Sequence, residues 1–138
     1  MRRLARDERA DLAAFLATLA PLQWQAPTRC AWWRVRDVAA HVVSYDELDA
    51  RGLIAHVARG RFRPGQVTAS ALARYDTRSP EQLLALLADH LQPRRLPAAL
   101  GGRVALVEAL IHHQDIRRPL GRPRAIPPER LLPRCAPP

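Results

Sequence analysis

The chain has no lysine: all 22 of its basic residues are arginine. Beside abundant alanine, leucine and proline, that bias looks like the codon usage of a very GC-rich genome. The net charge of +9 therefore argues less for nucleic-acid binding than such a value usually does. Much of the excess is also local, in Arg117, Arg118, Arg122, Arg124, Arg130 and Arg134. Cysteine is scarce, and Cys30 and Cys135 show neither pairing nor metal-motif spacing. A disulfide framework is excluded, and a reduced, cytoplasmic setting is expected. No apolar run approaches the roughly 20 residues that a membrane span needs. Met1-Arg2-Arg3 resembles the start of a signal peptide, but Asp7, Glu8, Arg9 and Asp11 interrupt any apolar core that could follow. No strand periodicity and no internal repeat is present.

What is present is helical periodicity. A first helix is predicted from about Leu4 to Ala20, with Leu12, Phe15, Leu16 and Leu19 on one buried face and Pro21 as its stop. A connector, Gln23 to Trp33, holds all three tryptophans, Pro27 and Cys30. A second helix is predicted from Val35 to about Ala58, with Val35, Val38, Val42 and Tyr45 as its stripe and Gly60 as its stop. Residues 60–66 read as a loop, and Val67 to Asp76 as a short helix. Ser79-Pro80-Glu81-Gln82 supplies an N-cap, a first-position proline and a capping-box glutamine. Leu83, Leu84, Leu87 and Leu91 bury the helix that follows, and Pro93 closes it. The last clear helix opens after Gly101-Gly102 and runs to about Arg117, leaving a short helical turn at Glu129–Leu132. The sum is an all-α, antiparallel four-helix bundle over residues 1–120, with a short extra helix. A Pro- and Arg-rich irregular tail, 121–138, has the look of a truncated end.

One residue breaks the pattern. Glu108 lies inside Val104-Ala105-Leu106-Val107-Glu108-Ala109-Leu110-Ile111, a run that reads as buried helix. A buried carboxylate must be paired, protonated or metal-bound. His112 follows four residues later on the same face, about 5–6 Å away. His41 sits at the edge of the second helix's stripe and is the best third ligand. Glu108, His112 and His41 thus form a candidate metal site, since facing helices of a bundle often supply such ligands and a catalytic zinc takes three protein ligands with one open position. The plainer alternative stands beside it: Glu108 pairs with an arginine, and His41 is a satisfied core histidine. His113 faces about 100° away from His112 and is expected to support the site or to be exposed. Asp115 either orients a histidine or is a surface charge. His56 and His90 read as solvated, Trp32 and Trp33 as packing. Cys30 reads as a small buried hydrophobe, with a thiol near the site as the other option. Arg117 and Arg118 are a solvated face or, functionally, the holders of an anionic co-substrate.

Two segments carry a resemblance. Thr28-Arg29-Cys30, followed by Trp33-Arg34-Val35-Arg36-Asp37-Val38-Ala39-Ala40-His41, is similar to the T-x-C-x-x-W-x-V-x-D-V-x-x-H entry to the second helix in the mycothiol-dependent maleylpyruvate isomerase family. That family belongs to the DinB-like superfamily of metal-binding helical bundles. Glu108 through Gly121 resembles the family's E-x-x-x-H-x-x-D segment and its continuation. The likeness spans about residues 5–130. It implies that His41, Glu108 and His112 bind a divalent metal, usually zinc. It also implies mycothiol as thiol co-substrate with an electrophilic small-molecule partner, in isomerisation or thiol S-transfer. A metal-binding domain without catalysis is the alternative, and an Arg-rich nucleic-acid binder a more distant one, because no recognition motif is present. Two departures stand out: Arg34 occupies an N-cap position where relatives tend to have Thr or Ser, and Ala31-Trp32 replaces a glycine-containing pair.

Overall fold

The computed structural model describes residues 1–47 and 72–131, and these are helical, as the periodicity predicts. Helix α1 covers Arg2–Leu16, α2 Val35–Glu47, α3 Pro80–Asp89, α4 Ala99–Arg117 and the single turn α5 Pro128–Leu131. Short 3-10 turns at Pro21–Gln25, Ala73–Tyr75 and Leu96–Ala98 connect them. Among the described residues there is no strand, only an isolated bridge between Pro27 and Arg34. The expected continuation of the second helix to Ala58, the 60–66 loop and His56 lie outside the described residues. Of the short helix expected at Val67–Asp76, the described part is the 3-10 turn.

Local chemistry sets the helix ends. α1 stops at Leu16, earlier than expected, because Thr18 folds its hydroxyl onto the Phe15 carbonyl (2.7 Å) and Leu19 N–H turns to Leu16 O. α3 starts as its sequence requires: Ser79 Oγ accepts from Gln82 N–H, and Gln82 Oε1 accepts from Ser79 N–H. The main core gathers Leu12, Phe15, Leu16 and Leu19 of the first segment with Trp24, Val35, Val38 and Val42 and with Leu83 and Leu87. A smaller core lies where α1 packs along α4, between Ala5 and Ala105, Leu106 and Leu110.

The run around Glu108 is not buried all round, and here the expectation is corrected. Ala105, Leu106, Ala109 and Leu110 turn inward, whereas Val104, Val107 and Ile111 are 38%, 55% and 53% exposed. A helix presents about 100° per residue, and α1 covers only one side of α4. Glu108 sits at the boundary between these sides and is half-buried.

Two charges on α1 are more deeply buried than any ligand candidate. Glu8 and Arg9 have no solvent exposure. Arg9 donates to Asp46 Oδ2 of α2 (2.6 Å), to the His90 carbonyl beyond α3 (2.7 Å) and to the Val42 carbonyl (3.3 Å). Asp46 also accepts from Arg94 N–H at 2.6 Å; burial pushes its carboxyl upward, while Arg9 and Arg94 pull it back. Glu8 meets His113 Nδ1 of α4 (2.9 Å), Arg130 (2.6 Å) and Arg124. Residues 121–131 are thereby tied to α1, and Ile126 adds an apolar contact to the smaller core.

Helix α4 begins through left-handed backbone. Leu100, Gly101 and Gly102 have φ of 51°, 68° and 91°, so regular turns start at Arg103. At Gly102 a Cβ would lie 3.0 Å from the Arg2 Cα, whereas Gly101 faces open space. Gly102→Ala is therefore expected to lower stability by about 2 kcal/mol or more, since the left-handed conformation alone costs about 1–2 kcal/mol. Gly101→Ala should lose only that conformational part, and thermal unfolding of the two variants checks the difference.

Burial drives the Glu8 carboxyl up, but His113, Arg124 and Arg130 outweigh it and hold it at about 2, against an ordinary 4.5. A carboxylate depressed on folding adds stability that is complete above its unfolded value and is lost as pH falls through its folded value. At neutral pH, Glu8→Ala should cost about 3–5 kcal/mol, because it strands buried cations. In urea titrations across pH, the gap between Glu8→Ala and wild type should begin to narrow below about 4.5 and continue closing toward about 2.

Candidate metal centre

The connector before α2 is a tight loop built on Thr28. Its hydroxyl bonds to the Trp33 carbonyl at 2.9 Å and accepts from Cys30 N–H at 3.1 Å. Backbone bonds from Thr28 N–H to Trp33 O and from Trp33 N–H to Cys30 O close the loop. Arg29 N–H then donates to the Asp115 carbonyl at 3.1 Å, which docks the loop on α4. The absent Thr/Ser cap at Arg34 is compensated. Asp37 accepts from Arg34 backbone N–H (2.8 Å), and its two oxygens take the Arg34 guanidinium as a fork (2.9 and 3.1 Å). Trp32, by contrast with the packing role expected of it, is 98% exposed and adopts φ 70°. Trp33 turns inward against the core.

This loop and α2 place His41 opposite α4. His41 Nε2 lies 3.2 Å from Glu108 Oε1. The His41 and His112 rings meet edge-on with centroids 5.0 Å apart. Donor atoms of His41, Glu108 and His112 all fall within 4.8 Å of one another, and all three residues are half-buried. The structure thus brings together the three residues that spacing singled out. The arginine partner considered for Glu108 is replaced by His41 itself.

The surroundings fit a cation. His112 Nδ1 faces Asp115 Oδ2 at 3.2 Å, the carboxylate partner that fixes the tautomer of a metal-binding histidine and leaves Nε2 to coordinate. Burial and the neighbouring His41 lower the His112 pKa, against the opposite pull of Glu108 and Asp115; the neutral ring that results is the form that binds a metal. His41 Nδ1 is buried without a partner among the described residues. Its plane is held by ring contacts instead, with Trp33 at 4.9 Å and Tyr45 edge-on at 5.6 Å. Two imidazoles and one carboxylate form a hard-to-borderline donor set suited to zinc and similar ions.

Cys30 is not the inert hydrophobe expected. Its thiol donates to Asp115 Oδ2 at 3.2 Å and lies 3.7 Å from His112 Nδ1. Burial, followed by Asp115, pushes the thiol up to about 11, so it stays protonated at neutral pH. Cys30, His112 and Asp115 also lie close enough together to count as a second donor group. Sequence reasoning left the Asp115 role open; its position three residues after His112 was the available signal.

The other candidates lie elsewhere. His113 is 1% exposed and faces α1, a correction to the supporting or exposed role expected, since one residue of helix turns it from α2 toward Glu8. Arg117 stacks over Phe15, 4.2 Å from the ring centroid, and lines a separate cavity with His113. Arg118 is exposed. His90 is half-buried rather than solvated, with Nδ1 on the Leu86 carbonyl at 2.8 Å. Sequence reasoning did not anticipate the groove beside Glu108. Leu100, Arg103, Val104 and Val107 line it, with a volume of about 440 Å³.

Fold and site together define a helical protein with a His-Glu-His donor cluster between two helices. Residues 5–100 match the family described as the mycothiol maleylpyruvate isomerase N-terminal domain, and the chain belongs to that family. The matched segment contains the Thr28–His41 stretch and ends before Glu108 and His112. No curated protein and no solved structure matches the chain.

Because Thr28 ties together the loop that positions Trp33 and Cys30, Thr28→Val is expected to destabilise by about 1–3 kcal/mol through unmet polar groups. Chemical denaturation measures this loss, and wild-type stability in that variant would contradict the loop's role.

Proposed function

We propose that His41, Glu108 and His112 hold one divalent cation, zinc in the first instance. On this reading the protein joins a low-molecular-weight thiol, mycothiol, to an electrophilic small molecule in isomerisation or thiol S-transfer. The observation that carries the reading is the convergence of the three donors within 4.8 Å. Membership of a family described by mycothiol and maleylpyruvate isomerase supports the choice of thiol and reaction. When bound in an open three-ligand site, such a cation supplies a Lewis acid that favours the deprotonated form of a thiol or water.

The chain's own groups have definable tasks. Glu108 contributes the negative charge, and His41 and His112 contribute neutral nitrogens. Asp115 orients His112 through Nδ1. Leu100, Val104 and Val107 form an exposed apolar surface beside Glu108, against which the carbon skeleton of an acceptor can lie.

Purified protein should carry about one zinc per chain. Glu108→Ala and His41→Ala should lose it, and Asp115→Asn should weaken affinity about 10- to 100-fold, as loss of an orienting partner does. Metal analysis and competition with a chelator measure both effects; Glu108→Ala retaining a full complement would overturn the ligand assignment. Turnover is then assayed with mycothiol and maleylpyruvate. Bound metal without turnover of any thiol–electrophile pair would leave a metal-binding domain and remove the enzyme reading.

A further inference from the structure

On the side of α4 away from Glu108, a second cavity of about 410 Å³ is lined by Asp11, Ala14, Phe15, Thr18, His113, Arg117, Arg122 and Arg124. It shares no lining residue with the groove beside the metal candidates. Its volume falls in the range of small-molecule sites. Three guanidiniums border one small space, and most of their fixing contacts lie within the protein. Arg117 and Arg122 both stand over the Phe15 ring, at 4.2 and 5.5 Å. Arg117 Nε donates to the Arg122 carbonyl at 2.7 Å, and Arg122 Nη1 to Thr18 Oγ1 at 3.3 Å. Neither guanidinium has a carboxylate partner among the described residues.

The acids nearby are already engaged. Glu8 is taken by His113, Arg124 and Arg130, and the Asp11 carboxylate on the rim by Arg130 at 2.6 Å and Arg124 at 3.8 Å. Burial first, and then Arg124 and Arg122, lowers the Arg117 pKa.

We propose that this cavity is a binding site for a phosphate group, free or as the monoester of a small molecule. Phosphate oxygens accept from the free N–H groups of Arg117 and Arg122, as guanidiniums and phosphates pair elsewhere. A phosphate's several terminal oxygens can take both forks at once, whereas the two oxygens of a carboxylate are filled by one fork. Ala14 and Phe15 give an ester's apolar part a surface to lie on. The site is separate from the proposed metal centre and does not depend on it.

The test is titration of the full-length chain with inorganic phosphate, phenyl phosphate and acetate at constant ionic strength, by calorimetry or NMR. Metal content is measured on the same samples, so failure of the metal assignment shows separately. Saturable binding of about one phosphate or phenyl phosphate per chain, at least tenfold tighter than acetate, is expected. Arg122→Gln, a surface substitution, should weaken it about tenfold, and Arg118→Gln, an equal loss of charge outside the cavity, should leave it unchanged. Tighter binding of phenyl phosphate than of inorganic phosphate would support the monoester form, and the reverse the free ion. Absent or non-saturable binding, acetate binding as tightly, or equal weakening by Arg118→Gln would overturn the proposal.

Discussion

Two adjacent charges of opposite sign, Glu8 and Arg9, lie on α1 with no solvent exposure, and much of the fold exists to satisfy them. An unpaired buried charge costs several kcal/mol even after relaxation. Neither residue finds an opposite charge one helical turn away on α1, where Glu8 has Leu4, Ala5, Asp11 and Leu12 and Arg9 has Ala5, Arg6, Leu12 and Ala13. Arg9 therefore draws α2 through Asp46 and the end of α3 through the His90 carbonyl, while Glu8 draws α4 through His113 and the later residues through Arg124 and Arg130. Each of these contacts is long-range in sequence, so each removes a freedom that apolar packing alone would leave. A greasy helix face tolerates a small rotation; a hydrogen-bonded guanidinium does not.

That rotational control reaches the metal candidates. His113 on Glu8 fixes how α4 is turned, and the residue before it, His112, must then face toward α2. Asp46 on Arg9 fixes α2 in the same way, five residues after His41. The edge-on meeting of His41 and His112 follows from one ion pair, Arg9–Asp46, and one hydrogen bond, Glu8–His113, that neither histidine joins. The Thr28 loop adds the third constraint by seating Trp33 on His41 and reaching Asp115 from outside. Site geometry here is a property of α1 as much as of the helices that carry the ligands.

The helices and their apolar stripes were legible in the sequence because they rest on local periodicity and capping. The Ser79 capping box and the Val35–Val38–Val42 face needed no tertiary knowledge. The three-residue cluster was legible for a related reason: a charge that breaks an apolar run is visible without knowing its partner. Glu8 and Arg9 were noticed only as charges that interrupt a signal-peptide core, although the same rule would have found their burial. Ala5, Glu8, Arg9, Leu12, Phe15 and Leu16 form one stripe at helical spacing, as Val38, Val42 and Asp46 do on α2. What hid them was the density of charge near the start of the chain, where Arg6, Asp7 and Asp11 make an amphipathic pattern hard to see. The exposure of Val107 and Ile111 was illegible for a different reason. Composition shows that a helix is apolar all round, but not how many sides its neighbours cover.

Cys30 shows why a nearby thiol need not belong to the donor set. It is the softest ligand in the neighbourhood, and as a thiolate it would close the coordination that an open site must keep. It lies instead on the Nδ1 side of His112, where it and Asp115 share a hydrogen bond. Asp115 thus has two effects from one position: it orients the His112 ring and holds the Cys30 proton in place, with the thiol up at about 11. Two imidazoles and one carboxylate leave a divalent cation with one uncompensated positive charge. In the proposed reading, that charge is what an incoming small-molecule thiolate would meet. On the same reading, Asp115 engages at once a proposed ligand, His112, and the residue that looks most like a fourth one.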